Sequence, residues 1–300
     1  MIKAGVSPIC WQNDDLPALT AGFTMEQALE EARDIGYSGV ERGQRMPQDS
    51  RPLRAYLDRY GLALCGGWCS GALLTQSPVE ERVRIRAQVA QFAELGAPCL
   101  VYAECSNSIQ SQPGVPLSTR PKLTRDEIRA YAGRLTELAK WMADQGVPLA
   151  YHHHMGTIIQ SEADINWLME FSTVEVTLCF DTGHLQFGGG DILATLQRWS
   201  DRVHHVHFKD IRPAVLASVL ERDAAFLDAV VDGAFTVPGD GSIDFYAVAR
   251  QLSAVDYRGW IVVEAEQDPQ KAPPRAYAAK GFAHTIAVCN SAGLEVSHEA

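Results

Sequence analysis

Along the chain, short runs of apolar and β-branched residues alternate with longer segments in which apolar residues recur every three or four positions. The short runs predict β-strands, and the longer segments predict amphipathic helices. Regular alternation of the two is typical of βα units whose strands lie side by side in a parallel sheet. We therefore expect an α/β protein, a (β/α)8 TIM barrel that forms a single domain over residues 1–300. The eight predicted strands are Lys3–Pro8, Gly39–Arg42, Leu62–Trp68, Pro98–Ala103, Pro148–His152, Val174–Phe180, Val203–Lys209 and Gly259–Glu264.

The segments between the strands carry their own local signals. Thr24, followed by Gln27, resembles a capping box at the start of a helix over Thr24–Ile35. A second long helix is predicted over Arg125–Gln145, where apolar residues form one stripe.

Two connections, Ser106–Leu123 and Ile211–Asp244, are longer than a barrel requires, and we predict them as loops. They follow the fourth and seventh strands, so they would rise from the carboxyl-end face of the barrel as walls or lids over an active site. Residues 291–300 are predicted to be a loose C-terminal tail or an oligomer contact.

The charge balance limits the partners that this chain can bind. The formal net charge is −11, and no run of Lys or Arg is longer than two residues. A nucleic-acid backbone is therefore an unfavourable partner, and we expect a neutral or cationic small molecule, or a metal ion. The N-terminal segment lacks an export signal or a membrane span, so we expect a cytoplasmic protein that does not bind membranes.

The seven cysteines are scattered and odd in number, which predicts buried free thiols in a reducing compartment.

Seven of the nine histidines fall in three segments, each at the end of a predicted strand, and these segments are Tyr151–Gly156, Cys179–His184 and His204–Asp210. Side chains alternate between the two faces of a strand, so His152 shares a face with His154, and His205 with His207 and Lys209. By the same alternation His153 and His204 should face the helices.

The eighth predicted strand is apolar and ends in Glu264 and Glu266, and Asp181 follows the sixth strand. A carboxylate at the end of a buried strand is costly unless it is paired or binds a metal. Histidines with carboxylates, and no cysteine, suit a divalent ion such as manganese, cobalt, zinc or magnesium. The sequence thus predicts a metal or catalytic site at the carboxyl ends of the late strands.

Four motifs resemble the xylose isomerase-like barrel superfamily, namely D-T-G-H at 181–184, H-x-K-D at 207–210, P-G-D-G-x-I-D at 238–244 and V-E at 263–264. A closer resemblance, to the inosose dehydratase family, extends along nearly the whole chain. Its blocks are S-P-I-x-W-x-N-D-D-L-P at 7–17, G-W-x-S-G at 67–71, V-Y-A-E at 101–104, Y-H-H-H-M-G-T at 151–157, F-L-D-A-V at 226–230, F-T-V-P-G-D-G at 235–241 and V-E-A-E-Q-D-P at 263–269.

The superfamily resemblance implies the metal ligands Asp181, His207 and Glu264 on the sixth, seventh and eighth strands. The fourth ligand of the superfamily is a Glu that ends strand five, where this chain has His152. Either His152 supplies a nitrogen ligand, or a neighbour such as His154 or Glu266 takes its place. The second strand also departs from the pattern, because Arg42 stands where a Leu is expected.

The inosose dehydratase resemblance implies a hydro-lyase of inositol catabolism. Its reaction dehydrates 2-keto-myo-inositol (scyllo-inosose) to a trihydroxycyclohexane-1,2-dione, by proton abstraction next to the ketone through a metal-stabilised enediolate. The implied cofactor is a divalent metal, with Mn²⁺ or Co²⁺ favoured over Zn²⁺ or Mg²⁺, and a need for glutathione is a further implication. A cyclic keto-polyol would be the small-molecule partner, and a homo-oligomer is compatible with the resemblance.

Such a reaction needs a general base and a general acid. The base candidates are Glu104, at the end of the fourth strand, and the histidines at 152–154, among which His154 is a catalytic candidate. Lys209 and His184 could act as the acid or orient the leaving hydroxyl. The substrate-binding candidates are Trp11, Asn13, Asp14, Asp15, Trp68 and Glu266, with Gln110 and Arg120 in the fourth loop as further candidates.

Two other functions use the same residues. An isomerase or epimerase would share the metal and the enediolate but would return the proton without expelling water. A non-catalytic sugar-binding protein would keep the pocket without turnover. The endonuclease branch of the superfamily is disfavoured by the acidic charge balance.

Overall fold

The computed structural model describes residues 1–297 and contains a closed barrel of eight parallel strands. The barrel strands are β1 (Ile2–Val6), β2 (Gly39–Arg42), β3 (Ala63–Gly71), β4 (Leu100–Glu104), β5 (Leu149–His152), β6 (Val176–Asp181), β7 (Val203–Phe208) and β10 (Gly259–Val263). Each strand pairs with the next one along the barrel, and β10 pairs with β1 to close it. The predicted fold class is confirmed.

Helices follow the strands and cover the outside of the barrel. Ser77, Thr124 and Ser161 form capping boxes that fix the starts of three of them. The helices are α1 (Met25–Ile35), α2 (Ser50–Asp58), α3 (Pro78–Leu95), α4 (Arg125–Asp144), α5 (Glu162–Phe171), α6 (Thr182–Phe187), α7 (Ile192–Trp199), α8 (Pro213–Glu221), α9 (Phe226–Asp232), α10 (Phe245–Ala254) and α11 (Pro274–Ser291), with short 3-10 turns at Pro8–Cys10, Leu117–Thr119 and Ser200–Arg202.

The capping box predicted at Thr24 forms only in part. The Thr24 hydroxyl accepts a hydrogen bond from the backbone N–H of Gln27, as expected. The amide of Gln27, however, donates to Glu31 one turn further along the helix instead of facing back to Thr24.

The prediction that Ile211–Asp244 is a loop is wrong. This segment contains α8 and α9, and the short strands β8 (Asp210–Ile211) and β9 (Phe235–Thr236) pair in an antiparallel ribbon. Its buried apolar side chains form a cluster separate from the main core, together with Leu117, Met155 and Phe187 from other parts of the chain. Its position is as expected, because the rings of Phe226 and Phe235 lie against His184 at the carboxyl end of the barrel.

The predicted loose tail is also wrong for the part that the structure describes. Beyond α11, Leu294 is buried, and β11 (Val296–Ser297) pairs in parallel with the start of β1. The backbone N–H of Ile2 donates to the carbonyl of Glu295. Residues 298–300 lie outside the described residues.

A bulge in β3 changes which of its side chains face the interior of the barrel. The register between β2 and β3 shifts between Val40 and Glu41, and Cys65 is left without an opposite residue. Cys65 lies in the apolar layer inside the barrel. Beyond the bulge the even-numbered residues Trp68 and Ser70 face inward and line the cavity at the barrel mouth.

Two further expectations concern thiols and membranes. All seven cysteines are free, and six of them are buried, which confirms the prediction of buried free thiols. Across residues 1–297, helices of the length and apolar character needed for a bilayer span are absent.

Candidate active site and metal centre

Four buried side chains from consecutive late strands meet at the carboxyl end of the barrel. His152 ends β5, Asp181 ends β6, His207 lies on β7, and Glu264 directly follows β10. One ligand atom from each lies within 4.8 Å of the ligand atoms of the others. His152 Nε2 and His207 Nδ1 lie 3.4 Å and 3.5 Å from Asp181 Oδ2, and Glu264 Oε2 contacts His207 Nδ1. The structure thus brings His152 to the position beside the three ligands implied by the resemblance.

The donor atoms of this cluster fit a divalent metal ion. Within the described part of the chain, Asp181 Oδ2, Glu264 Oε2 and His207 Nδ1 are buried and make no hydrogen bond. Buried polar atoms are usually paired, so three such atoms gathered at one point favour a shared partner such as a metal ion. Two carboxylates and two imidazoles form a nitrogen and oxygen ligand set that borderline and moderately hard divalent ions accept.

The charge states of the two carboxylates favour metal binding. Burial alone would raise the pKa of Asp181, but the Lys209 ammonium and the His184 ring hold it well below its usual value. Burial is likewise outweighed at Glu264, where Lys209 and His207 lower the pKa to about 2. Both side chains are therefore ionised at neutral pH, as metal ligands must be.

A second group lies beside the first and is organised around a buried lysine. Lys209 Nζ lies 2.9 Å from Glu264 Oε1, 2.8 Å from Glu266 Oε2 and 3.0 Å from His184 Nε2. His154 Nε2 is 4.0 Å from Glu266 Oε1, and the rings of His154 and His184 are 4.0 Å apart. The predicted catalytic residues His154, His184 and Lys209 therefore form one contiguous cluster with Glu266.

The groups of this second cluster have different proton affinities. Burial is the largest influence on Glu266 and raises its pKa to about 7, although Lys209 opposes the shift. Burial lowers the pKa of His154 to about 3, and His152 and Lys209 add to the effect. The pKa of Lys209 lies well above its usual value because the three carboxylates around it outweigh the effect of burial. A neutral imidazole and an ammonium group thus share the site.

A cavity of about 220 Å³ opens from these clusters to the surface. His152, His154, His207, Glu264 and Glu266 line its inner end. Its outer wall is mostly polar and includes Asp14, Asp15, Arg42, Gln44, Trp68, Ser70, Ser108, Gln110 and Ser111. This lining offers many hydrogen-bond donors and acceptors beside one aromatic ring, a composition suited to a small polyhydroxylated ligand.

Lys209 and His184 lie behind this wall instead of in it. Both are fully buried, and they contact the cavity through Glu264, Glu266 and His154. Any direct contact between these two side chains and a bound substrate would require the wall to move.

Three predicted site residues lie away from the cavity. Trp11 is fully buried, and its indole N–H donates to Glu31 on α1. Glu104 lies on the outward face of β4, where its carboxylate accepts from the backbone of Leu74 and Ser106. Neither side chain is in the cavity lining.

Asn13 is the third of these residues, and it shapes a loop. Its side-chain oxygen accepts hydrogen bonds from the backbone N–H groups of Asp15 and Leu16. These bonds hold the turn that carries Asp14 and Asp15 to the cavity wall.

The two candidates of the fourth loop have different surroundings. Gln110 lines the cavity, with its side-chain oxygen buried and unpaired in the described residues. Arg120 makes an ion pair of 2.8 Å with Asp164 and donates to the carbonyl of Thr157, so it ties the loop to the protein.

One prominent site residue, Glu41, was not predicted. It lies at the inward face of β2, lines the cavity and contacts both His205 and His207. A carboxylate at the end of the second predicted strand was the available signal, because an unpaired charge is costly there. His153 and His204 lie outside the cavity lining. The prediction that His204 faces the helices is wrong, because the register of β7 shifts at His204 and its ring contacts the carbonyl of Pro98 before β4.

Comparison with known proteins gives the family. The family model of the xylose isomerase-like TIM barrel matches residues 29–288, and the chain belongs to this family. The crystal structure of the IOLI protein with a bound zinc atom superimposes with a TM-score of 0.65 at 16% identity, covering 96% of this chain and 98% of that chain. At this identity the likeness shows the fold alone.

Relatives with a higher sequence identity indicate the class of enzyme. An inosose dehydratase of Bacillus cereus, named inosose dehydratase 2, is 44% identical over 93% of this chain and 94% of its own length. The rhizopine catabolism protein MocC of Rhizobium meliloti is 43% identical over 99% of this chain and 91% of its own length. The dehydratases among these relatives indicate that the chain is an enzyme of the hydro-lyase class, which confirms the class expected from the sequence.

Proposed function

We propose that this protein is an inosose dehydratase that removes water from 2-keto-myo-inositol to give a trihydroxycyclohexane-1,2-dione in inositol catabolism. The observation that carries the proposal is the cluster of His152, Asp181, His207 and Glu264 at the inner end of a polar cavity. Support also comes from the inosose dehydratases that are similar over nearly the whole chain.

The four side chains of the cluster would hold the metal, with Mn²⁺ or Co²⁺ as the favoured ions and Zn²⁺ or Mg²⁺ as alternatives. When bound, the ion supplies Lewis-acid polarisation of the substrate ketone, which makes the neighbouring C–H proton acidic enough to remove. The orphaned atoms of Asp181, Glu264 and His207 are the specific support for this assignment.

We assign the proton transfers to side chains that line the cavity next to the four-residue metal site. Glu266 and His154 line it, with Glu266 Oε1 and His154 Nε2 4.0 Å apart. We assign the removal of the proton next to the ketone to Glu266, and a hydrogen bond to the departing hydroxyl to His154. Glu266, once protonated, would return that proton to the leaving hydroxyl, and Lys209, 2.8 Å from Glu266 Oε2, would stabilise the carboxylate form.

The outer wall of the cavity would bind the remaining hydroxyl groups of a cyclic keto-polyol. Asp14, Asp15, Ser70 and Gln110 offer acceptors and donors around the ring. The indole of Trp68 lies against His152 and His154, with ring centroids 5.5 Å and 5.7 Å apart. It would cover the apolar face of the cyclohexane ring.

An assay on 2-keto-myo-inositol tests the proposal. Purified protein is stripped with a chelator, reloaded with Mn²⁺, Co²⁺, Zn²⁺ or Mg²⁺ with and without glutathione, and followed by the ultraviolet absorbance of the dione. We expect turnover only with added metal. Full activity in the metal-free protein would contradict the metal centre. Conversion to an isomeric ketone without the dione would indicate an epimerase, and binding without turnover a sugar-binding protein.

The variant His207→Ala should abolish metal binding and turnover while the barrel stays folded, because it removes one ligand and leaves the strand pairing unchanged. His204→Ala is the matched control on the same strand, since His204 lies outside the cavity lining and contacts the carbonyl of Pro98. It should retain activity. A His207→Ala protein with normal metal content and turnover would rule out this ligand set.

The similarity to MocC favours a second candidate, a role in rhizopine catabolism. Growth of a strain that lacks the gene distinguishes a role in inositol catabolism from a role in rhizopine catabolism. Loss of growth on myo-inositol supports the inosose route, whereas loss of growth on rhizopine alone supports the second candidate.

A further inference from the structure

A buried carboxylate lies next to the candidate metal site and contacts two histidines at once. Glu41 is only 6% exposed. Its Oε1 atom lies 2.9 Å from His205 Nε2 and 3.0 Å from His207 Nε2. These three residues come from strands on nearly opposite sides of the barrel, so the contact crosses its interior.

The local structure of β2 and β3 makes room for this contact. The bulge between the two strands sets Glu41 opposite Gly66. A Cβ atom at position 66 would lie 3.2 Å from Glu41 Oε1 and 3.3 Å from the ring of His205. Such distances are tighter than ordinary packing, so glycine at this position gives the carboxylate and the imidazole the space to meet.

The contact determines which nitrogen of His207 is available as a ligand. An ionised carboxylate can only accept, so the hydrogen bond to Glu41 places the proton on His207 Nε2. The other nitrogen, Nδ1, is then the one that can give up its proton and bind a metal ion, and it is the atom that lies 3.5 Å from Asp181 Oδ2 and contacts Glu264. The tautomer that Glu41 selects is therefore the one that can bind a metal in the cluster.

We propose that Glu41 is a positioning residue of the metal centre, which fixes the tautomer and the ring orientation of His207 through its carboxylate. This inference rests on the proposed metal site. Histidine ligands commonly donate their second N–H to a carboxylate, which orients the ring and strengthens the ligand nitrogen. His205, bound to the same oxygen, holds Glu41 in place from the other side.

The same three residues offer one competing arrangement. Glu41, His205 and His207 have ligand atoms close enough to hold a metal ion themselves. In that arrangement His207 would bind through Nε2, and its Nδ1 would carry the proton. The nitrogen of His207 that contacts the metal therefore distinguishes the two possibilities.

A first experiment compares zinc affinity in Glu41→Gln and in a matched control, Glu81→Gln. Glu81 is also a fully buried carboxylate, but it lies on α3 and binds Arg84 and Tyr102 outside the barrel. We expect Glu41→Gln to weaken zinc binding about 10- to 100-fold, the usual effect of removing such a partner. Competition with a chromophoric chelator measures the dissociation constant.

The control separates positioning from general stability. Glu81→Gln should lower the melting temperature but leave the zinc dissociation constant unchanged. Unchanged zinc affinity in Glu41→Gln, or an equal loss of affinity in Glu81→Gln, would overturn the inference. Failure of the wild-type protein to bind zinc would instead contradict the proposed function.

A second experiment needs no variant and so does not depend on the folding of Glu41→Gln. Wild-type protein with ¹⁵N-labelled histidine is loaded with zinc, and the ring nitrogens are assigned by nuclear magnetic resonance. We expect His207 to be metal-bound at Nδ1 and protonated at Nε2. Zinc bound at Nε2 of His207 would overturn the positioning role and support the competing arrangement.

Discussion

At the scale of single residues, His152 is the clearest departure from the superfamily pattern. It stands where the superfamily resemblance implies a Glu, and the structure places its Nε2 atom 3.4 Å from Asp181 Oδ2. The cluster therefore offers two carboxylates and two imidazoles, where the implied set has three carboxylates and one imidazole. Imidazole is a softer ligand than carboxylate, so this exchange favours borderline ions such as Zn²⁺ and Co²⁺ over Mg²⁺.

The variant His152→Glu tests the effect of this residue on metal choice. We expect the ratio of the Mg²⁺ and Zn²⁺ dissociation constants to shift in favour of Mg²⁺ by at least about tenfold, or about 1.4 kcal/mol. Isothermal titration of chelator-treated protein with each ion measures both constants. An unchanged ratio would show that His152 does not contact the ion.

The sequence predicted the site residues that depend on alternation within one strand, and it missed those that depend on strand parity or on distant contacts. Alternation along β5 and β7 correctly put His152 and His207 on the inward face, because the rule is local to one strand. Glu104 ends its strand on the outward face, since Val101 lines the cavity and sets the parity of β4. No local pattern in the sequence indicates that parity. Glu41 was missed because its partners are more than 160 positions away.

At the scale of secondary-structure elements, Asp181 ends a strand, caps a helix and is one of the four residues of the candidate metal site. It ends β6 and is the N-cap residue of α6, where its Oδ1 atom accepts a 2.7 Å hydrogen bond from the backbone N–H of His184. Its other oxygen, Oδ2, faces the cluster without a hydrogen bond within residues 1–297. One carboxylate thus begins the helix and serves as a candidate ligand.

Substitutions of Asp181 can separate these two roles. Asn is as good an N-cap as Asp, whereas Ala loses the cap at a cost of about 1 kcal/mol. We expect Asp181→Asn and Asp181→Ala both to lose metal affinity, with the metal-free Ala variant less stable than the metal-free Asn variant by about that amount. Urea denaturation in the presence of a chelator and calorimetric metal titration measure the two effects. Equal stability of the two variants would exclude the capping role.

At the scale of the whole molecule, the barrel is closed by β1 and β10, and the end of the chain supports this closure. β11 lies beside the start of β1, and Leu294 is only 7% exposed. Glu264 directly follows β10, so the same closure positions one of the candidate ligands. The two ends of the chain therefore contribute to the stability of the structure that carries the site.

A chain that ends at Ala292 tests this contribution. It loses the burial of Leu294, about 1.5 to 3 kcal/mol, and the hydrogen bonds of β11, about 1 kcal/mol each. We expect the free energy of unfolding to fall by about 2 to 4 kcal/mol, with the metal dissociation constant unchanged at a temperature where the protein is folded. Leu294→Ala is the matched point variant and should account for most of the loss. A shortened chain as stable as the full one would show that β11 contributes nothing.

The sequence by itself determined the order of strands and helices, the barrel, and the chemistry at the late strand ends, because periodicity and strand-end position are local properties. Only the tertiary structure decided three matters: the two helices and the ribbon within 211–244, the inward parity of Trp68 and Ser70 after the bulge, and the meeting of Glu41 with His205 and His207. Each depends on pairing or packing between segments far apart in the chain. A local pattern carries no information about which distant backbone lies opposite, and so it cannot predict the space that a side chain will find there.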